Sequence, residues 1–332
     1  MKSYKVAIIG FGKGGETYHA PFIHAVPSLS IYKVLERNRQ RSREIYPNVQ
    51  VVKTLDEVLS DDEVDVVVVT VPNIDHYSIA RQALLAGKHV VVDKPFTITY
   101  KEASELINLA EKQDCLLTVY HNRRLDSGIQ TLKKLLSEDL LGKIKSFSCR
   151  FDRYRPEVTG TWREQNVPGA GLLYDLGSHL IDHILYLFGK PLSVTADVQK
   201  QRAGTCADDY FHLKFRYPDF EAEVGAGMLV KDASDHIVCV GEKATFVVDV
   251  PDLQEAALKQ GIMPVDKEWS QAVSGQKGLL KFAYGHTETI DLVQGDYCRF
   301  YANLAEAIDR KEPLLVSPVE ASEVIRVIEG CL

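Results

Sequence analysis

The apolar positions along the chain change their period once. From residue 4 to 121, short continuous apolar runs alternate with segments of helical period. Val6-Ala7-Ile8-Ile9, Val64-Asp65-Val66-Val67-Val68-Val69-Thr70-Val71 and His89-Val90-Val91-Val92 read as strands buried on both faces, as parallel strands are. Ser30–Leu35 and Leu116–Tyr120 add two more, and Thr54–Leu59, Asp75–Ala86 and Tyr100–Gln113 predict the helices between them. Strands alternating with helices predict a doubly wound parallel sheet with ligands at the carboxyl ends of its strands. After an amphipathic helix over Asp126–Ser137 the period becomes two. Phe147, Cys149 and Phe151 alternate with Ser148, Arg150 and Asp152, and Phe211, Leu213, Phe215 and Tyr217 alternate with His212, Lys214 and Arg216. Further strands are expected near 194–200, 222–230, 236–241 and 244–249. One polar face per strand predicts an open, mainly antiparallel sheet, whose other face often meets a partner subunit. The stretch 251–280 reads as a long loop region and a candidate lid, and helices near 297–310 and 319–330 close the chain.

Chemistry-bearing residues collect where the first set of strands ends. Gly10-Phe11-Gly12-Lys13-Gly14-Gly15 satisfies G-x-G-x-x-G through Gly10, Gly12 and Gly15. Such a loop needs one glycine for a tight turn, one for approach to a pyrophosphate and one for close helix packing. A helix N-terminus behind it would offer free N–H groups to the phosphates. Glu36 stands 21 residues beyond Gly15, where an acidic residue accepts hydrogen bonds from ribose hydroxyls. Arg37 follows it, and a guanidinium there could instead pair with a 2′-phosphate. Glu36 favours NAD and Arg37 keeps NADP open. Pro72-Asn73, Asp93-Lys94 and His121-Asn122 fall at three further strand ends. Lys94 closes a buried run and precedes Pro95, a poor place for a surface charge and a good one for an acid/base lysine.

The second concentration is 169–183, Gly-Ala-Gly-Leu-Leu-Tyr-Asp-Leu-Gly-Ser-His-Leu-Ile-Asp-His. On a helix, Asp175, His179 and Asp182 lie at i, i+4 and i+7, on one face. A carboxylate one turn before an imidazole can hold the ring in one tautomer. The plain alternative is a core helix whose histidines find ordinary partners. Asp175, His179 and His183 also have metal-like spacing, but no further carboxylate or cysteine cluster joins them, and no metal is expected. Tyr154-Arg155, Trp162-Arg163 and Tyr284-Gly285-His286 offer the donors and aromatic walls that a polyhydroxylated ring requires.

Composition narrows the partners. Lys and Arg number 39 against 46 Asp and Glu, a net charge of −7 that argues against nucleic acid or an anionic membrane as partner. No run approaches the roughly 18 apolar residues of a membrane span, and the first apolar run is too short for a signal peptide and leads straight into a strand. The six scattered cysteines form no CxxC pair, as expected of reduced thiols in a cytoplasmic protein.

Three of these motifs together resemble the glucose–fructose oxidoreductase/inositol dehydrogenase family, Gfo/Idh/MocA. They are the glycine loop, Gly87-Lys88-His89-Val90-Val91-Val92-Asp93-Lys94-Pro95, and Gly169-Ala170-Gly171 with Asp175, Gly177, His179 and Asp182. The resemblance covers essentially the whole chain. It implies a Rossmann dinucleotide-binding domain over 1–121 and a substrate-binding and oligomerisation domain over 122–332, with a homodimer or higher homo-oligomer expected. It implies NAD(P)-dependent hydride transfer at a secondary alcohol of a sugar or cyclic polyol. The family's catalytic lysine falls on Lys94, and its helix-borne Asp and His fall on Asp175 and His179. Its dinucleotide contacts fall on Gly10, Phe11, Gly12, Gly15, Glu36 with Arg37, Pro72, Asn73, His76, Asp93, Lys94 and Asn122. Substrate contacts are expected from Lys94, Tyr154, Trp162, Arg163, Asp175, His179 and Tyr284. The lysine–proline bond of the family is commonly cis. Asp93 stands where a glutamate is commoner, and Ala170 where a glycine is usual. Tyr120-His121-Asn122-Arg123-Arg124 and Thr161-Trp162-Arg163 look like the branch that includes scyllo-inositol dehydrogenases. The competing expectation is a non-catalytic NAD(P)-binding sensor, which the family also contains.

Overall fold

The structure, a computed structural model, describes residues 3–38, 40–231, 235–310 and 312–332. Its contacts gather into two compact units. One comprises Met1–His121, Ala257–Trp269 and Tyr297–Ile325, the other Asn122–Ala256, Ser270–Asp296 and Arg326–Leu332.

The first unit is built on six parallel strands: β1 (Tyr4–Ile9), β2 (Leu29–Leu35), β3 (Gln50–Val52), β4 (Val66–Val69), β5 (His89–Val92) and β6 (Leu117–Val119). Their spatial order is β3-β2-β1-β4-β5-β6, so the winding reverses between β1 and β4. All four valines of β4 and Val90, Val91 and Val92 of β5 are fully buried, as their unbroken apolar runs require. The register matters most for the site. Ile9 pairs with both Leu35 and Val69, Val69 with Val92, and Val92 with Val119. The residues one step beyond are therefore drawn up along one edge: Gly10, Glu36, Thr70, Asp93 and Tyr120. The helix Tyr100–Lys112 opens with a capping box between Thr99 and Glu102. The helix Cys298–Arg310 packs into this unit, its Phe300 and Tyr301 rings 4.9 Å and 5.6 Å from that of Tyr120.

The second unit holds β7 (Ile144–Phe151), β8 (Ser193–Gln199), β9 (Tyr210–Arg216), β10 (Glu221–Gly227), β11 (Asp235–Gly241), β12 (Ala244–Val248), β13 (Lys277–Phe282) and β14 (Thr287–Asp291). They form one sheet in the order β14-β13-β12-β11-β7-β10-β9-β8, antiparallel except between β7 and β10. Two helices, Ser127–Ser137 and Ser178–Phe188, pack on the face that carries Phe211 and Ile237. The first comes so close that a Cβ on Gly128 would lie 3.0 Å from Ile237.

One expectation is corrected, and one hairpin is added to the strands expected. The stretch 251–280 is not a loop region: it contains the helices Leu253–Lys259 and Trp269–Ala272 and the start of β13. The β13–β14 hairpin has no clear period-two signal because β14 (Thr-Glu-Thr-Ile-Asp) is an exposed edge strand with little to bury. Among the described residues no helix is long and apolar enough to cross a membrane.

Candidate functional site

In the first unit the glycine loop has the geometry its motif demands. Gly10 has φ +95°, a conformation open to glycine at no steric cost. A Cβ on Gly15 would lie 2.5 Å from the Gly10 carbonyl oxygen, so the third glycine is fixed by close packing. A Cβ on Gly12 would meet nothing within 4 Å. The middle glycine therefore leaves backbone facing open space, the feature a dinucleotide pyrophosphate needs. Thr70 pins the turn by donating its hydroxyl to the Gly10 carbonyl at 2.7 Å. The following turn, Gly14–His19, is a π-helix that runs into Ala20–Ala25. Phe11 is buried, with its ring edge-on to Tyr46 at 6.5 Å.

Glu36 is 6% exposed, and its carboxylate is already supplied with donors. It accepts from the Arg41 amide at 3.2 Å, from the Ser42 amide at 3.0 Å and from the Ser42 hydroxyl. Arg37 is exposed beside it, and Arg41 reaches Glu16 of the glycine turn at 2.7 Å. Pro72 and Asn73 open a short 3-10 turn, Asn73–Asp75, with Asn73 buried. His76 is buried, with Nδ1 2.8 Å from the Pro95 carbonyl oxygen and Nε2 2.9 Å from that of Val71. It thus ties the turn after β4 to the turn after β5. Burial lowers its pKa, opposed by the charge of Asp93 and by those carbonyls.

Lys94 is half-buried and its bond to Pro95 is cis. Asp93 accepts from the Lys94 amide at 2.8 Å and lies 3.5 Å from His19 Nε2. Its other carboxylate oxygen faces the glycine loop, where a Cβ on Gly14 would be 3.2 Å away.

In the second unit, the segment that carries Asp175 and His179 is a π-turn, Leu173–Gly177, leading into Ser178–Phe188. π-turns inside helices are rare and recur at functional sites. Gly169 and Gly171 have φ +77° and +97°. A Cβ on Gly171 would lie 1.8 Å from Asp208 Oδ1, because Asp208 closes over the start of the segment and accepts from the Leu173 amide at 2.7 Å. Burial raises the Asp208 pKa, and the amide donors only partly offset it. Asp175 is a third exposed and lies 3.7 Å from the Arg163 guanidinium, which in turn sits over the Trp162 ring at 4.7 Å. His179 is buried at 6% exposure. Arg163, Trp162, Asp175 and His179 thus belong to one unit, with the first three in one connected group.

Asp182 and His183 have other occupations. Asp182 accepts two hydrogen bonds from Arg124 Nε and Nη2 at 2.8 Å and 2.7 Å, in a pair about 1% exposed. His183 Nε2 is 3.0 Å from the Arg123 carbonyl oxygen. Asn122 begins the 3-10 turn Asn122–Leu125 and is buried. Tyr154 is exposed on a bridge to Leu229. Tyr284 stands fully exposed at the tip of the β13–β14 hairpin. Sequence reasoning missed Arg124, Asp208, His19 and Arg202. Arg202 is buried, anchored on Asp209 at 2.9 Å, and holds the 155–164 loop through Glu164 at 3.0 Å and the carbonyls of Arg155 and Glu157. Arg202 and Asp208 give no linear signal, standing in the ordinary polar stretches Gln-Lys-Gln-Arg-Ala-Gly and Thr-Cys-Ala-Asp-Asp-Tyr.

Two family models match. Residues 4–121 match the oxidoreductase family's NAD-binding Rossmann fold, and residues 133–332 match its C-terminal alpha/beta domain, the family being GFO_IDH_MocA. The chain belongs to this family. It is an oxidoreductase with a domain for a nicotinamide dinucleotide, NAD or NADP. It is 38% identical to the scyllo-inositol 2-dehydrogenase (NADP(+)) IolW of Bacillus subtilis, over 100% of this chain and 94% of that protein. The solved structure of yvaA from Bacillus subtilis has TM-score 0.94 at 37% identity, covering 99% of this chain and 95% of that one. An oxidoreductase from Bacillus cereus has TM-score 0.89 at 29% identity, covering 99% and 95%.

Proposed function

We propose that the protein moves a hydride between NADP and a secondary alcohol carbon of a cyclic polyol of the inositol kind. The observation that carries this reading is the aligned edge of the first sheet, which puts the open glycine turn beside Asp93 and Lys94. The similarity to IolW supports the substrate class. The nicotinamide, when bound, supplies the hydride acceptor. The chain's own groups then handle the proton. His179 takes the hydroxyl proton as the alcohol is oxidised, Asp175 orients and charge-stabilises it, and Lys94 hydrogen-bonds the same oxygen, or Lys94 and His179 exchange the base role. Trp162 and Arg163 would line the ring's binding surface through their link to Asp175.

The choice of NADP rests on Glu36. A carboxylate that already accepts three donors from residues 41 and 42 has little left for ribose hydroxyls. The exposed Arg37 beside it is free to meet a 2′-phosphate. The same family reading extends to a second copy of the chain on the outer face of the eight-stranded sheet. There Val238, Val247 and Leu279 are half-buried direct cross-strand neighbours, an aliphatic row among polar residues.

A panel of inositols and aldoses assayed with NAD and with NADP tests the reading. Turnover of an inositol with a higher kcat/KM for NADP is expected. Tight cofactor binding without turnover of any polyol would overturn it in favour of a sensor.

A further inference from the structure

His19 lies outside the glycine motif, at the last position of the π-turn that follows it, and is fully buried. Its ring is held on both sides. It lies tilted against the Tyr120 ring, centroids 4.2 Å apart at 40°, and Nδ1 is 2.6 Å from the Tyr301 hydroxyl. Tyr301 is itself packed against Tyr120 and Phe300, with ring centroids 5.6 Å and 5.2 Å away. Nε2 points at Asp93 Oδ1 from 3.5 Å, longer than an ordinary hydrogen bond, and has no nearer partner among the described residues.

The directions of these contacts fix the tautomer. An ionised carboxylate only accepts, so Nε2 carries the proton that faces Asp93. Nδ1 then accepts, and the Tyr301 hydroxyl donates to it. Asp93 passes the constraint on, since Oδ1 also accepts the Lys94 amide at 2.8 Å. On its other side the carboxylate meets the Gly14 backbone and cannot swing that way without closing on the glycine loop. A chain of directed contacts thus runs Tyr301, His19, Asp93, Lys94, from a buried aromatic cluster to the turn bearing the lysine.

We propose that His19 is a positioning residue for the reaction, fixing the Asp93 carboxylate and through it the turn that presents Lys94. This rests on Lys94 acting on the substrate oxygen, as argued above. Asp93 is faced by His19, Lys94 and His76, with the Tyr120 and Tyr301 hydroxyls behind them. Burial alone would push its pKa up. His19 does most to bring it down, to about 2, with Lys94 and His76 adding to the effect.

The test compares His19→Leu, His19→Gln and Tyr301→Phe in the full chain. The readouts are kcat and KM against pH, cofactor Kd, and the carboxyl ¹³C titration of Asp93, whose signal is identified by its loss in Asp93→Asn. In His19→Leu, kcat near neutrality is expected to fall about tenfold, with KM and Kd little changed. The acid limb of kcat and the Asp93 titration should both move upward. His19→Gln keeps an N–H to aim at Asp93 and should recover most of the loss. An unmoved Asp93 titration in His19→Leu, or a glutamine variant no better than leucine, overturns the proposal. If His19→Leu fails to fold, Tyr301→Phe removes a single hydroxyl and must show the same changes in smaller measure. Failure of the wild type to turn over any polyol would sink the functional reading, while the carboxyl titration would still decide this one.

Discussion

Arg124 and Asp182 show how much a single side chain can hide from sequence reasoning. Asp182 sits seven residues after Asp175 and reads as part of the same catalytic face, yet its carboxylate is fully engaged by a buried guanidinium from another segment. Removing one member strands a charge. Asp182→Ala is expected to cost about 3–5 kcal/mol in urea unfolding, whereas replacing both partners by apolar residues should cost far less. His179→Ala and Lys94→Ala belong to the other class, lowering turnover roughly 10²–10⁴-fold with the fold intact. Near-normal turnover in both would sink the proposed mechanism. Asp93 gives a pH-dependent case. Its carboxyl is held at about 2, because His19 and, to a smaller degree, Lys94 and His76 outweigh the upward push of burial. A depressed carboxyl adds stability above its unfolded value near ~3.9 and loses it as pH falls through the folded one. The stability gap between wild type and Asp93→Asn, about 2 kcal/mol at pH ~5, should therefore narrow as the pH is lowered from ~4 towards ~2.

Among elements, the glycine loop separates two roles that the motif alone merges. Gly15 is packed against the Gly10 carbonyl and the Thr70 hydroxyl, while Gly12 faces open space. Gly15→Ala should therefore lower both the melting temperature and cofactor affinity. Gly12→Ala should leave the melting temperature nearly unchanged and weaken NADP binding by about tenfold or more, as calorimetric titration would show. Equal thermal losses in the two variants would contradict this division. The π-turn at Leu173–Gly177 makes a similar point. The alternation of polar and apolar residues marks a helix, but the wider turn depends on Gly171 yielding space to Asp208, a residue 37 positions later. Asp208→Ala removes the acceptor for the Leu173 amide and is expected to cost about 1–2 kcal/mol.

At the scale of the molecule, the aliphatic row Val238, Val247 and Leu279 leads to a measurable expectation. Val247→Glu should shift the protein towards the monomer in sedimentation velocity, and an unchanged oligomer would remove this face from the interface. Much of the architecture was legible beforehand. Both strand periods, the glycine loop and the Asp93-Lys94-Pro95 turn are local, and a strand buried on two faces or one writes its environment directly into its residue pattern. The strand β14 escaped because an edge strand buries too little to impose a pattern. The chain by itself determined which residues stand at the ends of the strands. Only the tertiary structure decided their partners: Arg124 for Asp182, Asp208 for Gly171, and His19 with Tyr301 for Asp93. Those pairings join residues tens to hundreds of positions apart, and no local period encodes a contact that exists only once the sheets have formed.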